Sequence, residues 1–140
     1  MRRNILTYKA PPNNEGYDLL CIHPDPNKVT RQIRIQVKSR YPTDCYWDFP
    51  VKEKTFGAFD FLIAVFLNIG NFYKKDQAGS RRDPDFYTFP VEFMRQRHVK
   101  TASWEEVRLE GLGAEIEQYK NERGFELIAE ALGIEYPARV

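Results

Sequence analysis

The sequence predicts an α/β or α+β fold, and three features of the chain support this class. Residues 31–39 alternate apolar and polar side chains, which is typical of a half-buried strand. Residues 59–67 form a continuous apolar run between turn-forming residues, as expected for a strand buried on both faces. Residues 122–132 carry apolar side chains at helical spacing. A sheet packed against at least one helix accounts for all three patterns.

Length and composition favour one domain over residues 1–140. The chain has 140 residues, 42% of them hydrophobic and 14% aromatic, and a chain of this size buries roughly two-thirds of its unfolded surface. Its most apolar run is too short to span a membrane, and its start lacks the apolar region of a signal peptide. We therefore predict a cytoplasmic protein with no membrane partner. Cys21, inside an apolar segment, is predicted to be a reduced core residue.

The first part of the chain predicts three successive strands. Residues 4–9 form the first, which Pro11 and Pro12 end. Residues 17–23 form the second, and the following prolines and Asn27 indicate a hairpin to the third strand, residues 31–39. Residues 40–58 are predicted to be irregular.

The apolar run at residues 59–68 is predicted to be the central strand of the sheet. Residues 70–85 are polar and rich in turn formers, which predicts a loop, and residues 86–89 are a short fifth strand. The sheet would therefore contain about five strands.

The remaining elements are short until the last helix. Pro90 suits the first turn of a helix that continues through residues 91–98. Residues 103–106 match a capping box, but the alternation that follows favours a short extended segment. The final helix spans residues 122–132 and ends at Gly133.

The net charge of +1 does not discriminate between classes of partner, but its distribution is uneven. Residues 1–100 contain 17 Lys and Arg against 11 Asp and Glu, whereas residues 101–140 contain 4 against 9. An asymmetry of this size is common among proteins without nucleic-acid partners. The basic part of the chain nevertheless contains the polar strand described next.

Asp18 and the Gln36/Lys38 pair are the candidate functional residues. If residues 17–23 and 31–39 are neighbouring strands, these side chains can project from one face at one edge, because residues two apart point the same way. Asp18, the Gln36 side-chain oxygen and the Val37 carbonyl would supply oxygen ligands for Mg²⁺ or Mn²⁺. Lys38 would orient or help deprotonate the attacking water and offset charge on a phosphodiester.

These residues resemble the PD-(D/E)xK nuclease superfamily, which includes restriction endonucleases and Holliday junction resolvases. GYDLL carries the aspartate as Asp18, and IQVKS carries the second half of the motif as Gln36 and Lys38, with glutamine in place of the usual acidic residue. Three later segments, FDFLIAV, FYTFPVEF and YKNERGFELIAEAL, are also similar to small members of this group. The resemblance implies a restriction-endonuclease-like mixed sheet flanked by helices and a metal-dependent endonuclease acting on DNA.

The sequence departs from that superfamily in two ways. The usual N-terminal helix with a further acidic residue is expected to be missing, and Gln36 replaces an acid. Asp18 is then the one clear anionic ligand, unless Glu15 or a second subunit contributes. A missing helix would expose apolar sheet surface, and we therefore predict a homodimer.

Three functions remain open from the sequence. The chain is a metal-dependent endonuclease, a nucleic-acid-binding domain with the nuclease fold but no turnover, or a structural protein whose polar strand face contacts a partner. Asp18 and Gln36 together with Lys38 are equally compatible with a solvated strand face. Aromatic residues in the irregular stretch would either stack on bases or cover the core. These are Tyr41, Trp47 and Phe49. The predicted nucleic-acid contacts are Arg34, Arg40, Lys52 and Lys54.

Overall fold

The structure, a computed structural model, describes residues 5–12, 16–28, 31–40, 49–67, 83–109 and 113–134. Its strands are β1 (Leu6–Lys9), β2 (Leu19–Ile22), β3 (Ile33–Arg40), β4 (Phe49–Pro50), β5 (Phe61–Phe66), β6 (Asp85–Pro90), β7 (His98–Lys100) and β8 (Glu105–Val107). Its α-helices are α1 (Val91–Arg97), α2 (Gly113–Ile116) and α3 (Glu122–Leu132). Short 3₁₀ turns lie at Pro26–Lys28, Glu53–Ala58 and Glu117–Tyr119.

The main sheet has five strands in the order β1-β2-β3-β5-β6. The first three form an antiparallel meander, β5 pairs parallel to β3, and β6 pairs antiparallel to β5. The predicted class, a mixed sheet of five strands with helices, is confirmed. The predicted position of the apolar strand is wrong, because β3 occupies the middle. The meander places two strands on one side of β3, so β5 and β6 lie on the other.

The alternation in β3 assigns its residues to two different layers. Ile33 and Ile35 are fully buried in a cluster that includes Ile128, Ala129 and Leu132 of α3. Each residue of a strand points to the face opposite its neighbours, so Gln36 and Lys38 lie on the other face. β5 is buried on both faces, as predicted, because its even-numbered residues join a second core cluster and Phe61 and Ile63 pack against the first.

A second sheet of three short strands, in the order β4-β8-β7, packs on the face opposite α3. Phe49 and Val107, paired across β4 and β8, belong to the same core cluster as Leu62 and Phe89 of the main sheet. The prediction of an irregular stretch is wrong for residues 49–50 and 53–58, which form β4 and a 3₁₀ turn. The extended segment predicted near Val107 is confirmed as β8.

Helices α1 and α3 lie where the sequence predicts them, with two corrections at the ends of α1, whereas α2 has no predicted counterpart. His98, predicted as the end of the first helix, is the first residue of β7. α1 begins at Val91, and Pro90 is the last residue of β6 and the N-cap, so it does not lie in the first turn. α3 spans Glu122–Leu132 as predicted and ends at Gly133, whose φ of 71° is left-handed and favours glycine. Most of the loop predicted at residues 70–85 lies outside the described residues.

Large exposed apolar side chains in the described ranges are few. They are Leu6 and Tyr8 on the edge strand β1, and Trp104 between β7 and β8. The homodimer stays a prediction. In the described part of the chain, no helix has the length and apolar character needed to cross a bilayer.

Candidate functional site

Asp18 lies immediately before β2 and its backbone joins the strands on both sides. Its N–H donates to the Ile35 carbonyl at 2.7 Å, and its own carbonyl accepts from the Ala10 N–H at 2.8 Å. The residue is therefore held at the seam between β2 and β3, close to the position that the sequence predicts.

The Asp18 carboxylate completes the end of this seam. Its Oδ2 accepts a hydrogen bond from the Val37 N–H at 2.7 Å and another from Gln36 Nε2 at 3.0 Å. The β2 pairing ends at Leu19, so the carboxylate serves Val37 in place of a strand carbonyl. A carboxylate oxygen only accepts, so Gln36 must present its nitrogen to Asp18, which turns its Oε1 away. Asp18 and Gln36 are thus in direct contact.

Three residues at this edge carry oxygen atoms that are suitable ligands for a cation. The N–H and C=O of one strand residue project to the same side, so the Val37 carbonyl points toward the β2 edge, as its N–H does. With Asp18 it offers oxygen atoms, the ligands that Mg²⁺ prefers, and Gln36 adds a third only if Oε1 takes the place that Nε2 holds beside Asp18. Among the described residues, no group of three or more His, Cys, Asp or Glu side chains could hold a metal ion. Asp18 therefore supplies the charge in this set, and Glu15 lies outside the described residues.

Gln36 and Lys38 also line a cleft of about 810 Å³ between the main sheet and the second sheet. The opposite wall comes from the segment after β4 and from the turn that joins β7 to β8. Its residues include Val51, Lys52, Lys54, Lys100, Ser103 and Trp104. The cleft exists because the second sheet covers β5 and β6 on this face and leaves the polar residues of β3 open.

The cleft is positively charged. Four lysines and one carboxylate, Glu105, are among the described residues that line it. Lys100 lies 3.7 Å from Glu105 and 4.0 Å from Glu53. Lys38, Lys52 and Lys54 make no ion pair within the described ranges. This excess of positive charge favours a polyanionic ligand.

Arg34 and Phe49, which the sequence also offers as candidate nucleic-acid contacts, do not line the cleft. Arg34 donates to the Asp60 carboxylate and to the Gly57 carbonyl, at 3.4 Å and 3.2 Å, so its guanidinium contacts the chain itself. The side chain of Arg40 lies outside the described residues, as do Tyr41 and Trp47. Phe49 is 3% exposed and stacks on Phe89, so for this residue core packing is confirmed.

Lys100 and Trp104 also line this cleft and were not predicted from the sequence as functional residues. Both flank the turn between two three-residue strands, which are too short to show a periodic pattern. One feature of the sequence indicated an exposed aromatic side chain here. In the segment KTASWE, the tryptophan lies among mainly polar residues.

Cys21 takes no part in the site. It is buried, and this burial raises the pKa of the thiol, with the hydrogen bond from Thr7 acting in the opposite direction. A buried, protonated thiol is a poor nucleophile, so the predicted core role is confirmed.

No protein-family model matches the chain, and no curated protein matches its sequence.

Proposed function

We propose that this protein is a metal-dependent endonuclease that hydrolyses phosphodiester bonds in DNA. The observation that carries the proposal is the direct contact between Asp18 and Gln36 beside the lysine-lined cleft that Gln36 shares with Lys38. These residues come from neighbouring strands, and the sequence separates them by 18 positions. The proposed fold family is the PD-(D/E)xK superfamily, on the strength of the GYDLL and IQVKS segments and the mixed sheet on which they lie.

In this proposal Asp18, Gln36 and Val37 hold one Mg²⁺ or Mn²⁺ ion. When bound, such a cation would neutralise phosphate charge and lower the pKa of water, so that the water loses a proton more easily and becomes a better nucleophile. The Val37 N–H orients the Asp18 carboxylate by donating to Oδ2, which leaves Oδ1 for the cation. Gln36 would contribute Oε1 after its amide group turns over, which gives up the hydrogen bond from Nε2 to Asp18 and places Oε1 beside the carboxylate.

Lys38 is the proposed catalytic lysine. Lys38 lines the same cleft as Gln36 and has no ion-pair partner among the described residues. It would orient the attacking water and offset the charge that develops on the phosphate. Lys52 and Lys54 would contact neighbouring phosphates, which position the strand but carry no sequence information.

The test is plasmid nicking by Lys38→Ala in the presence of Mg²⁺ or Mn²⁺. Lys38 lies on the polar face of β3 and outside both core clusters, so its removal should abolish nicking without unfolding the protein. Lys38→Arg should not restore activity, because guanidinium is bulkier and does not give up a proton in the useful pH range. Lys9→Ala, an exposed strand lysine outside the cleft, is the matched control.

Nicking that survives in Lys38→Ala at the level of Lys9→Ala would assign the activity to another site or to a contaminant. Circular dichroism of both variants shows whether lost activity reflects lost folding.

A second candidate function is nucleic-acid binding without turnover. It is favoured because Asp18 is the single carboxylate in the proposed ligand set, which weakens the attraction for a divalent cation. This candidate predicts salt-dependent DNA binding with no nicking under any metal condition. The absence of DNA binding altogether would instead favour a structural protein that uses this face for a protein partner.

A further inference from the structure

Trp104 ends a turn of fixed geometry between β7 and β8. The Thr101 N–H donates to the Trp104 carbonyl at 2.7 Å, and the Trp104 N–H donates to Thr101 Oγ1 at 3.1 Å. These two hydrogen bonds hold the backbone of the turn on both of its ends. The position of Trp104 is therefore set by the hairpin and does not depend on core packing.

The indole ring is exposed yet oriented. Trp104 is 54% exposed, and its Nε1 donates to Glu106 Oε2 at 3.1 Å. The polar edge of the ring is thus satisfied by the protein. Single exposed aromatic residues are common, so exposure alone indicates nothing. The added observations are the hydrogen bond to Glu106 and the place of the ring on the wall of the cleft.

Lysines outnumber carboxylates among the described residues that line the cleft with Trp104, where Glu105 is the one carboxylate. Lys52 and Lys54 line the same wall, and Lys38 lies on the main sheet across from it. A rigid aromatic ring beside ammonium groups is the combination that binds an unpaired nucleotide, because the base stacks on the ring while the phosphates lie near the cations. The cleft volume of about 810 Å³ falls in the range of pockets that hold ligands of this size.

We infer that Trp104 stacks on an unpaired base and that the cleft takes single-stranded DNA, or an unpaired stretch within a duplex. A base inside a regular duplex is covered by its neighbours and has no free face to offer. This inference rests on the proposed function for its ligand class. It concerns binding alone, so it is tested under conditions in which hydrolysis cannot occur.

The experiment measures equilibrium binding of fluorescein-labelled oligo(dT) in EDTA by anisotropy. Trp104→Ala should weaken binding by about tenfold, the expected effect of losing one stacked base. The same variant should bind an abasic oligomer of equal length as tightly as the unmodified protein does, because the phosphate contacts remain. A fully paired duplex should bind more weakly than oligo(dT) to the unmodified protein.

Two further variants separate stacking from folding and from general exposure. Trp104→Phe retains an aromatic face and should keep most of the affinity for oligo(dT). It also provides a second variant for the binding test if Trp104→Ala does not fold. Tyr8→Ala is the matched control, because Tyr8 is 51% exposed but lies on β1 outside the cleft. Its affinity for oligo(dT) should be unchanged.

Unchanged oligo(dT) affinity in Trp104→Ala, an equal loss for the abasic oligomer, or no binding by the unmodified protein would each overturn the inference. The proposed hydrolysis is tested separately, by the plasmid-nicking assay. A protein that never nicks DNA but loses oligo(dT) affinity in Trp104→Ala keeps the stacking role and loses the nuclease assignment.

Discussion

The Asp18 carboxylate has two roles that substitution can separate, one in stability and one in the proposed chemistry. It accepts hydrogen bonds from the Val37 N–H and from Gln36 Nε2. Asp18→Ala removes Oδ2, the acceptor of both bonds, and leaves the Val37 N–H without a partner on that side of β3. Asp18→Asn keeps a side-chain oxygen for Val37 but loses the negative charge. We therefore expect the two variants to differ in stability and to agree in activity.

The magnitudes follow from the environment of the side chain. Hydrogen bonds to a charged group contribute about 1.5–3 kcal/mol when buried, and Asp18 is exposed, so about 1–2 kcal/mol is expected for Asp18→Ala. Asp18→Asn should cost no more than about half of that, because the Val37 bond is retained. For a chain of this size, about 1 kcal/mol lowers the melting temperature by about 3 °C.

The assays are thermal melting followed by circular dichroism, and plasmid nicking with Mg²⁺. Both variants should lose nicking, because the one anionic ligand in the set is gone, and high Mn²⁺ should partly restore activity to Asp18→Asn but not to Lys38→Ala. Wild-type nicking by a folded Asp18→Asn would refute the ligand role. A melting temperature of Asp18→Ala equal to that of the unmodified protein would refute the stabilising role.

Two further predictions concern the folded structure. Gly124→Ala should lower the free energy of unfolding by about 1–3 kcal/mol in urea titrations, since the added Cβ would meet the Tyr119 carbonyl and lie 2.8 Å from Thr88 Cβ. Gly57→Ala, where a Cβ meets nothing within 4 Å, is the control and should change stability by less than about 0.5 kcal/mol; equal effects would contradict the packing explanation. Burial raises the pKa of the Cys21 thiol above its ordinary value of 9.0. The folded protein therefore favours the neutral thiol, and this contribution to stability is complete below pH 9.0. It declines as the pH rises toward the folded-state pKa. Cys45, the second of the two cysteines in the sequence, is replaced by serine in both proteins so that it does not contribute a second thiol titration. Urea midpoints should then fall less steeply above this pH in Cys21→Ala than in the parent, and identical slopes would count against the burial effect.

The sequence alone determined those features that depend on the periodic spacing of apolar residues within one strand or one helix. The alternation in residues 31–39 was enough to separate Ile33 and Ile35 from Gln36 and Lys38, because a strand has a fixed period of two. The apolar face of residues 122–132 and the following glycine located α3 to the residue for the same kind of reason. Asp18 and Gln36 are expected on one face if residues 17–23 and 31–39 are neighbouring strands, and the observed pairing of Leu19 with Ile35 places Asp18 opposite Gln36.

Three features were decided only by tertiary structure: the strand order of the main sheet, the presence of the second sheet, and the cleft between them. The parallel pairing of β3 with β5 joins strands separated by a long connection, and no local pattern specifies which neighbour a buried strand takes. β4 and β8 are two and three residues long, and their pairing depends on the burial of Phe49 and Val107 against Phe89. Lys52 and Trp104 are 52 positions apart in the sequence, yet both line the cleft, because that packing brings the β7–β8 turn over the polar face of β3.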